Sequence, residues 1–536
     1  MRTHRLAVFG CTALLAATAA ACGSSSNDNK GGSSGGGGST QAAPEGKADT
    51  FILGTTDKVV SLDPVGCYDL GCQQLIGNMY QNLLSVPAGG NAPQPDAAES
   101  CDWQNKKTYV CKLKTGLKFS NGDELTSKDV KWSLDRMLKI KDPTGPYTLL
   151  GSLDSTDATD PATVTMHLNK VDATFPFILT HNVAAITDSK IFPANKKLGD
   201  DKVIGSGPYK LDKYTPNQQA VFSTNPNYTG PNKPQTPNVI VQYFDQPSAL
   251  KLAIEQGDVD VAYRNLSPTD LEALKNESSK GVKVVDGAGT EIRYIVFNVK
   301  KPPVDQVAVR KAIAQLIDRQ SIATQVYKDT VTPLYSTVPA AFPGAKKSFQ
   351  DAFGDPDPNK AKQILADAGV KTPVSLAGWY TPTHYGPVEV DLWNEIKRQL
   401  EASGLFKVKL GSTEWDQYKD EFAKGTYYFY GLGWFPDFPD ADNYLTPFMH
   451  NGGFFVNGYS NKQVNAALDS EIGTDNQDTR QKAFGEVQDA EARDVPLIPL
   501  WEGKQVAAVR NGVEGVEKTF DPAFLFRFWL VTKNKS

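Results

Sequence analysis

Two arginines, sixteen small or apolar residues and a cysteine open the chain, and they set the conditions under which everything after them folds. Arg2 and Arg5 form a basic start, Leu6–Ala21 follows, and Ala19-Ala20-Ala21 runs into Cys22. Sixteen residues are too few to span a bilayer comfortably, so residues 1–21 are read as a cleaved signal peptide and not as an anchor. Residues 22–47 hold mainly Gly, Ser, Asn and Gln, which cannot bury a core, and are read as a flexible tether. Any core must come from the roughly 490 residues that remain, enough for two to four domains.

Export implies a compartment that permits disulfides. Of the six cysteines, Cys11 leaves with the signal. The small residues before Cys22 resemble a bacterial lipobox, in which that cysteine is lipid-modified; plain cleavage nearby is the alternative. Four cysteines allow three pairings, and the local one is expected. Cys101 and Cys111 flank a segment centred on Asn105-Lys106-Lys107, a turn that brings them face to face across a hairpin, and Cys67 and Cys72 then close a small loop. Their spacing is not C-x-x-C, so they read as staples and not as a redox pair. Without the signal, 54 Lys and Arg stand against 61 Asp and Glu, a net charge of −7 that argues against nucleic acid as a partner. His167, His181, His384 and His450 form no ligand-spaced cluster, so neither a metal site nor a cofactor is expected.

Strand and helix signals alternate between short turns, which indicates an α/β fold. Thr50–Thr56 reads as a strand broken by Ser61-Leu62-Asp63-Pro64, and Leu75, Met79 and Leu83 have helical spacing. Asn121-Gly122 marks a tight turn, and Thr126-x-x-Asp129 starts a helix with Val130, Leu134, Met137 and Leu138 on one face. Ala249–Gln256 reads as a helix closed by Gly257, with a strand after it. Gly431–Tyr444, GLGWFPDFPDADNY, offers carboxylates on a loop stiffened by two prolines, with Gly431 and Gly433 letting the backbone turn. Such a loop suits a ligand with a positive end; a surface loop capping a core is the plain alternative.

Asn78–Leu84 and Thr108–Arg136, followed in order by Ile204–Leu211, Asn225–Tyr228, Ala249–Ala262, Tyr294–Asn298 and Val309–Arg319, resemble the extracellular solute-binding proteins of peptide and nickel ABC transporters, family 5. The resemblance covers roughly residues 50–530. It implies a two-lobed, periplasmic-binding-protein-like clamshell of class II type with an extra inserted domain, three domains in all. Domain I would be assembled from 48–80, 205–290 and 500–536, domain II inserted at 81–204, and domain III would be the opposing lobe at 291–499. It implies a monomeric, lipid-anchored carrier on the outer face of a Gram-positive cytoplasmic membrane, passing oligopeptides to an ABC permease.

In peptide-binding relatives a G-W-x-x-D pattern supplies the carboxylate that receives the ligand's α-amino group, and Gly433–Asp437 matches it. Asp437 is therefore the candidate anchor, while Asp440 organises the turn. Trp434 and Phe435 are candidates to pack on the peptide or to serve the core, and Tyr68 is a candidate contact from the facing lobe. Some peptide binders carry an arginine where this chain has Gly431, and dipeptide binders place one on the loop that here reads Trp379–Gly386; His384 is the nearest substitute for a group to meet the ligand carboxylate. Without that arginine a strict dipeptide binder is disfavoured. A non-peptide solute such as an oligosaccharide, an opine-like compound or a metal chelate stays open, as does a sensing role without transport. Beyond the Gly/Ser tether no G-x-S-x-G, H-E-x-x-H or P-loop pattern occurs, which argues against an enzyme.

Overall fold

The computed structural model describes residues 48–276, 280–382 and 384–535. The signal peptide, the Cys22 lipidation and the tether all lie outside the described residues. From residue 48 the chain forms an α/β clamshell built on three larger sheets and two short hairpins.

The first sheet has seven strands, with Thr50–Thr55 near its middle between Asn238–Tyr243 and Val261–Tyr263, both parallel to it. Phe51 and Leu53 are buried on one face against Phe222, Val239 and Phe528, the period of two expected of a strand. Gln505–Arg510 pairs antiparallel with Val261–Tyr263 and Val282–Gly287, so the last segment of the chain completes the sheet that the first one started. The second sheet has six strands, with Ile292–Phe297 between Phe429–Trp434 and Leu497–Gly503. Two neighbouring segments therefore connect the sheets, one running from Val282–Gly287 into Ile292–Phe297 and one from Leu497–Gly503 into Gln505–Arg510. Gly503 N–H donates to the Glu291 carbonyl at 2.7 Å between them. A pair of adjacent crossing strands is a geometry that permits hinge bending.

A four-stranded antiparallel sheet carries the Cys101–Cys111 disulfide, the two cysteines directly opposite in register, and Cys67–Cys72 clips the start of the helix Leu70–Met79. The helix Ser127–Ile140 begins as its sequence implies, the Asp129 carboxylate accepting the Thr126 N–H at 2.9 Å. Gly257 closes Pro247–Gln256 in left-handed conformation. Leu83, by contrast, is not helical. The Met79 carbonyl accepts the Gly207 N–H at 2.7 Å, Tyr80 turns extended, and Leu83 reaches the core from irregular chain. Among the described residues no helix is long and apolar enough to cross a membrane.

One buried ion pair ties the Ser61–Tyr68 loop to the inserted four-stranded layer. The Arg136 guanidinium donates to both Asp63 oxygens at 2.8 and 2.6 Å, and Leu198 N–H completes the carboxylate at 2.7 Å. Both side chains are almost fully buried, so removing one partner strands the other charge out of water. Asp63→Ala is expected to lower unfolding free energy by about 3–5 kcal/mol, read from urea denaturation, with the double variant Asp63→Leu/Arg136→Met recovering much of that loss.

Candidate functional site

The strand Phe429–Trp434 ends in the loop Phe435–Asp440, which passes into the short helical turn Ala441–Tyr444. Gly431 and Gly433 lie in the strand and do not turn the chain, contrary to the expectation from sequence. They are needed for close approach: a Cβ on Gly431 would meet the Trp393 ring at 2.9 Å, and one on Gly433 would meet the Arg293 guanidinium at 2.1 Å. That guanidinium lies 4.0 Å from the Tyr385 ring centroid, and the Tyr385 hydroxyl accepts the Gly433 N–H at 2.9 Å. The end of the strand is thus fixed before the loop begins.

Asp437 sits at the loop's tip, half-buried. Its Oδ1 accepts the Tyr68 hydroxyl at 2.6 Å from the facing lobe, and its Oδ2 faces Asn443 Nδ2 at 3.4 Å. Burial raises its pKa above the ordinary carboxylate range, and the hydrogen bonds from Tyr68 and Asn443 pull it back. Among the described residues no Lys, Arg or His forms an ion pair with it. A carboxylate can accept about four hydrogen bonds, so room remains for an outside donor.

The other candidates divide. Tyr68 joins Asp437 and sets its ring edge-on to His181, centroids 6.2 Å apart. Trp434 turns into its own lobe, edge-on to Phe448 at 5.2 Å, with its indole N–H donated to Asn443 Oδ1 at 3.0 Å. Phe435 crosses to the other lobe, 5.5 Å from Phe524 and 5.4 Å from the Arg264 guanidinium. His384 is exposed and stacks on Trp415 at 3.9 Å, outside the group gathered at Asp437. Asn443, His181 and Phe438 were not foreseen. Asn443 had a signal, its place six residues after Asp437 on the same turn; the other two are placed only by long-range packing.

A cavity of about 380 Å³ opens beside Asp437, lined in part by Gln81, Asp96, His181, Phe524 and Trp529. Burial pushes the Asp96 carboxyl up to about 6 and the His181 imidazole down to about 3, so His181 is neutral. Arg527, also on the wall, is held by Asp521 at 2.6 Å. The cavity therefore presents acceptors and neutral groups. A larger groove of about 750 Å³, lined by residues such as Lys311, Asp351, Asp489 and Arg493, lies among outer helices and includes none of these residues. Phe438 leaves the loop and joins the hydrophobic core of the four-stranded layer.

Behind the loop, Arg480 grips both Asp440 oxygens at 2.8 Å and Glu471 at 3.0 Å. Asp440 also caps Ala441–Tyr444, as a turn-organising residue should, accepting the Asp442 N–H at 2.9 Å. Two buried acids share one guanidinium and a third, Asp442, stands beside Glu471, so a proton is retained: burial first, then the neighbouring Asp442, raises the Glu471 pKa far above its ordinary value.

The chain resembles known proteins along most of its length. The family model for bacterial extracellular solute-binding proteins, family 5 Middle, matches residues 92–455. Di/tripeptide-binding protein 3 of Pseudomonas aeruginosa is 27% identical over 452 residues, covering 79% of this chain and 83% of that protein. Heme-binding protein A of Haemophilus influenzae is 26% identical over 516 residues, covering 88% and 90%. The crystal structure of Haemophilus influenzae OppA in complex with RPPGFSPFR superposes with a TM-score of 0.71 at 22% identity, covering 92% and 100%, which supports the fold.

The retained proton sets a sign. Folded Glu471 keeps a proton that the unfolded chain releases above its ordinary pKa of 4.5, so this group's contribution makes stability fall as pH rises, by up to ~1.4 kcal/mol per pH unit. Glu471→Gln keeps the shape without the titration. Urea midpoints measured at pH 6 and pH 8 are expected to separate less in the variant than in the parent.

Proposed function

Because the chain belongs to family 5 of the bacterial extracellular solute-binding proteins, we propose that it captures oligopeptides between its lobes by their N-terminal ammonium, held at Asp437, and delivers them to an ABC-transporter permease. It is a solute-binding protein and not an enzyme. The observation that carries the ligand reading is a half-buried carboxylate that has hydrogen-bond donors and no cationic partner among the described residues, beside a cavity on whose wall Arg527 is already engaged by Asp521. An ammonium supplies the missing charge and up to three donors. Relatives named for di- and tripeptides favour peptides over other amines. Main-chain hydrogen bonding of an extended peptide would then leave side chains largely unread.

The same proposal takes Cys22 as the lipid-bearing residue and 22–47 as the tether on the outer face of the cytoplasmic membrane. It also takes the seven-stranded, four-stranded and six-stranded sheets as the centres of domains I, II and III. Tyr68 closes over Asp437 from the opposite lobe, and Phe435 serves lobe-to-lobe packing. His384 is given no role toward a ligand carboxylate, because its ring is occupied with Trp415.

Calorimetry with tetra-alanine, its N-acetylated form and its C-terminal amide tests the reading. Acetylation, or Asp437→Asn, is expected to weaken binding about 100-fold, the ~3 kcal/mol scale of a desolvated charge pair, while the C-terminal amide binds within threefold of the free acid. Affinity should fall on acidification, because a proton on Asp437 competes with the ammonium. Equal binding of the free and acetylated peptides would overturn the anchor, and native mass spectrometry finding a single non-peptide ligand would overturn the ligand class.

A further inference from the structure

Asn443 lies immediately behind the anchoring carboxylate, 4% exposed, on the turn that follows the loop. Its Oδ1 accepts two hydrogen bonds at once, from the Asp437 N–H at 2.9 Å and the Trp434 indole N–H at 3.0 Å. Two donors on one side settle which end of the amide is oxygen, so Nδ2 is left to face Asp437 Oδ2 at 3.4 Å. Its own N–H donates to the Asp440 carbonyl at 3.1 Å, and Asp440 is clamped by Arg480. One side chain thus ties the start of the loop, its tip and its rigid rear together.

The two donors on Asp437 differ in where they come from. Tyr68 belongs to the facing lobe, 369 residues away in sequence, so separating the lobes removes it. Asn443 belongs to the same lobe and travels with Asp437. In an open clamshell it is the side-chain donor that stays.

Resting on the reading of Asp437 as the amine anchor, we propose that Asn443 is the positioning residue of this site: its amide keeps Asp437 ionised and aimed across the cleft before the facing lobe closes with Tyr68. Asp437 is surrounded by few other titratable groups. Tyr68 and neutral His181 stand on the facing side, Arg264 is tied to Asp57 at 2.8 Å beyond Phe435, and Tyr444 and the Asp440–Arg480 pair lie behind the loop. None of these groups replaces a donor on Oδ2.

The test is the titration of Asp437 itself, followed by carboxyl-carbon NMR of the full chain with labelled aspartate, the signal assigned by its loss in Asp437→Asn. In Asn443→Ala the midpoint is expected to move up by about one pH unit, the effect of losing one hydrogen bond to a charged group. Asn443→Asp retains the acceptor for Trp434 and for the Asp437 N–H but sets a second buried carboxylate against Oδ2 in place of the donor; the two cannot both ionise, so the midpoint should rise further than in Asn443→Ala, with thermal stability lowered at neutral pH. The pH below which free-amine tetra-alanine binding fails should rise with it in Asn443→Ala. An unmoved Asp437 midpoint in Asn443→Ala overturns the proposal, whatever the ligand. Tight free-amine binding by Asp437→Asn would instead overturn the anchor reading, with the NMR result standing by itself.

Discussion

A carboxylate drawn half out of water without a cation of the protein's own is the constraint around which this molecule is arranged. Desolvation favours its protonated form, and only the hydrogen bonds from Tyr68 and Asn443 oppose that tendency. A buried arginine at Asp437 would have relieved the cost and closed the site to any ammonium. Elsewhere the protein uses that relief freely: Asp63 is matched by Arg136, Asp440 by Arg480, Asp521 by Arg527. Asp437 is not matched in that way: its side-chain partners are a phenol and an amide.

A carboxylate left without a cation stays open to an outside donor only where the chain around it is held in place. The strand leading to the loop is held by Trp393 and Arg293 packed against two glycines, and the turn leaving it is held by Arg480 with Asp440 and Glu471. Across the cleft, the Asp63–Arg136 pair fixes the Ser61–Tyr68 loop, and the Cys67–Cys72 bond fixes the far side of Tyr68. Both partners of the Tyr68–Asp437 bond are therefore delivered by rigid supports on separate sheets. The position of a phenol and a carboxylate 369 residues apart becomes a matter of lobe closure alone.

The local chemistry of this arrangement was legible in the sequence, and its long-range part was not. Capping at Thr126, the glycine stop at 257, the two disulfides and the aromatic–acidic loop all follow from residues within a few positions of one another. Leu83 was misread because a carbonyl of its helix is taken by Gly207, over a hundred residues later, which periodicity cannot register. Gly431 and Gly433 were read as turns because their nearest neighbours in space, Trp393 and Arg293, are distant in sequence. His384 reads from sequence as a stand-in for a missing arginine because Trp415, the ring stacked on it, is about thirty residues away on the helix Trp415–Ala423. Asn443 was in plain view, yet an asparagine on a turn has too many ordinary uses to be singled out without its partners.

The distribution of positive charge explains what kind of selectivity such a site can have. Among the described residues, three guanidiniums are already engaged: Arg264 with Asp57, Arg293 with Glu291 and Glu389, Arg527 with Asp521. Each is buried or nearly so, so freeing one for an incoming carboxylate would strand its acid out of water, at a cost similar to the attraction gained. His181, the imidazole on the cavity wall, is held neutral by burial. On the proposed reading a ligand is held at its positive end by Asp437, while none of these guanidiniums is free to receive its negative end. Fixing one end and leaving the other unspecified is how a rigid site accommodates ligands of different length. It also places the discriminating work on how well Asp437 is held, which is decided behind the loop and not in the cavity.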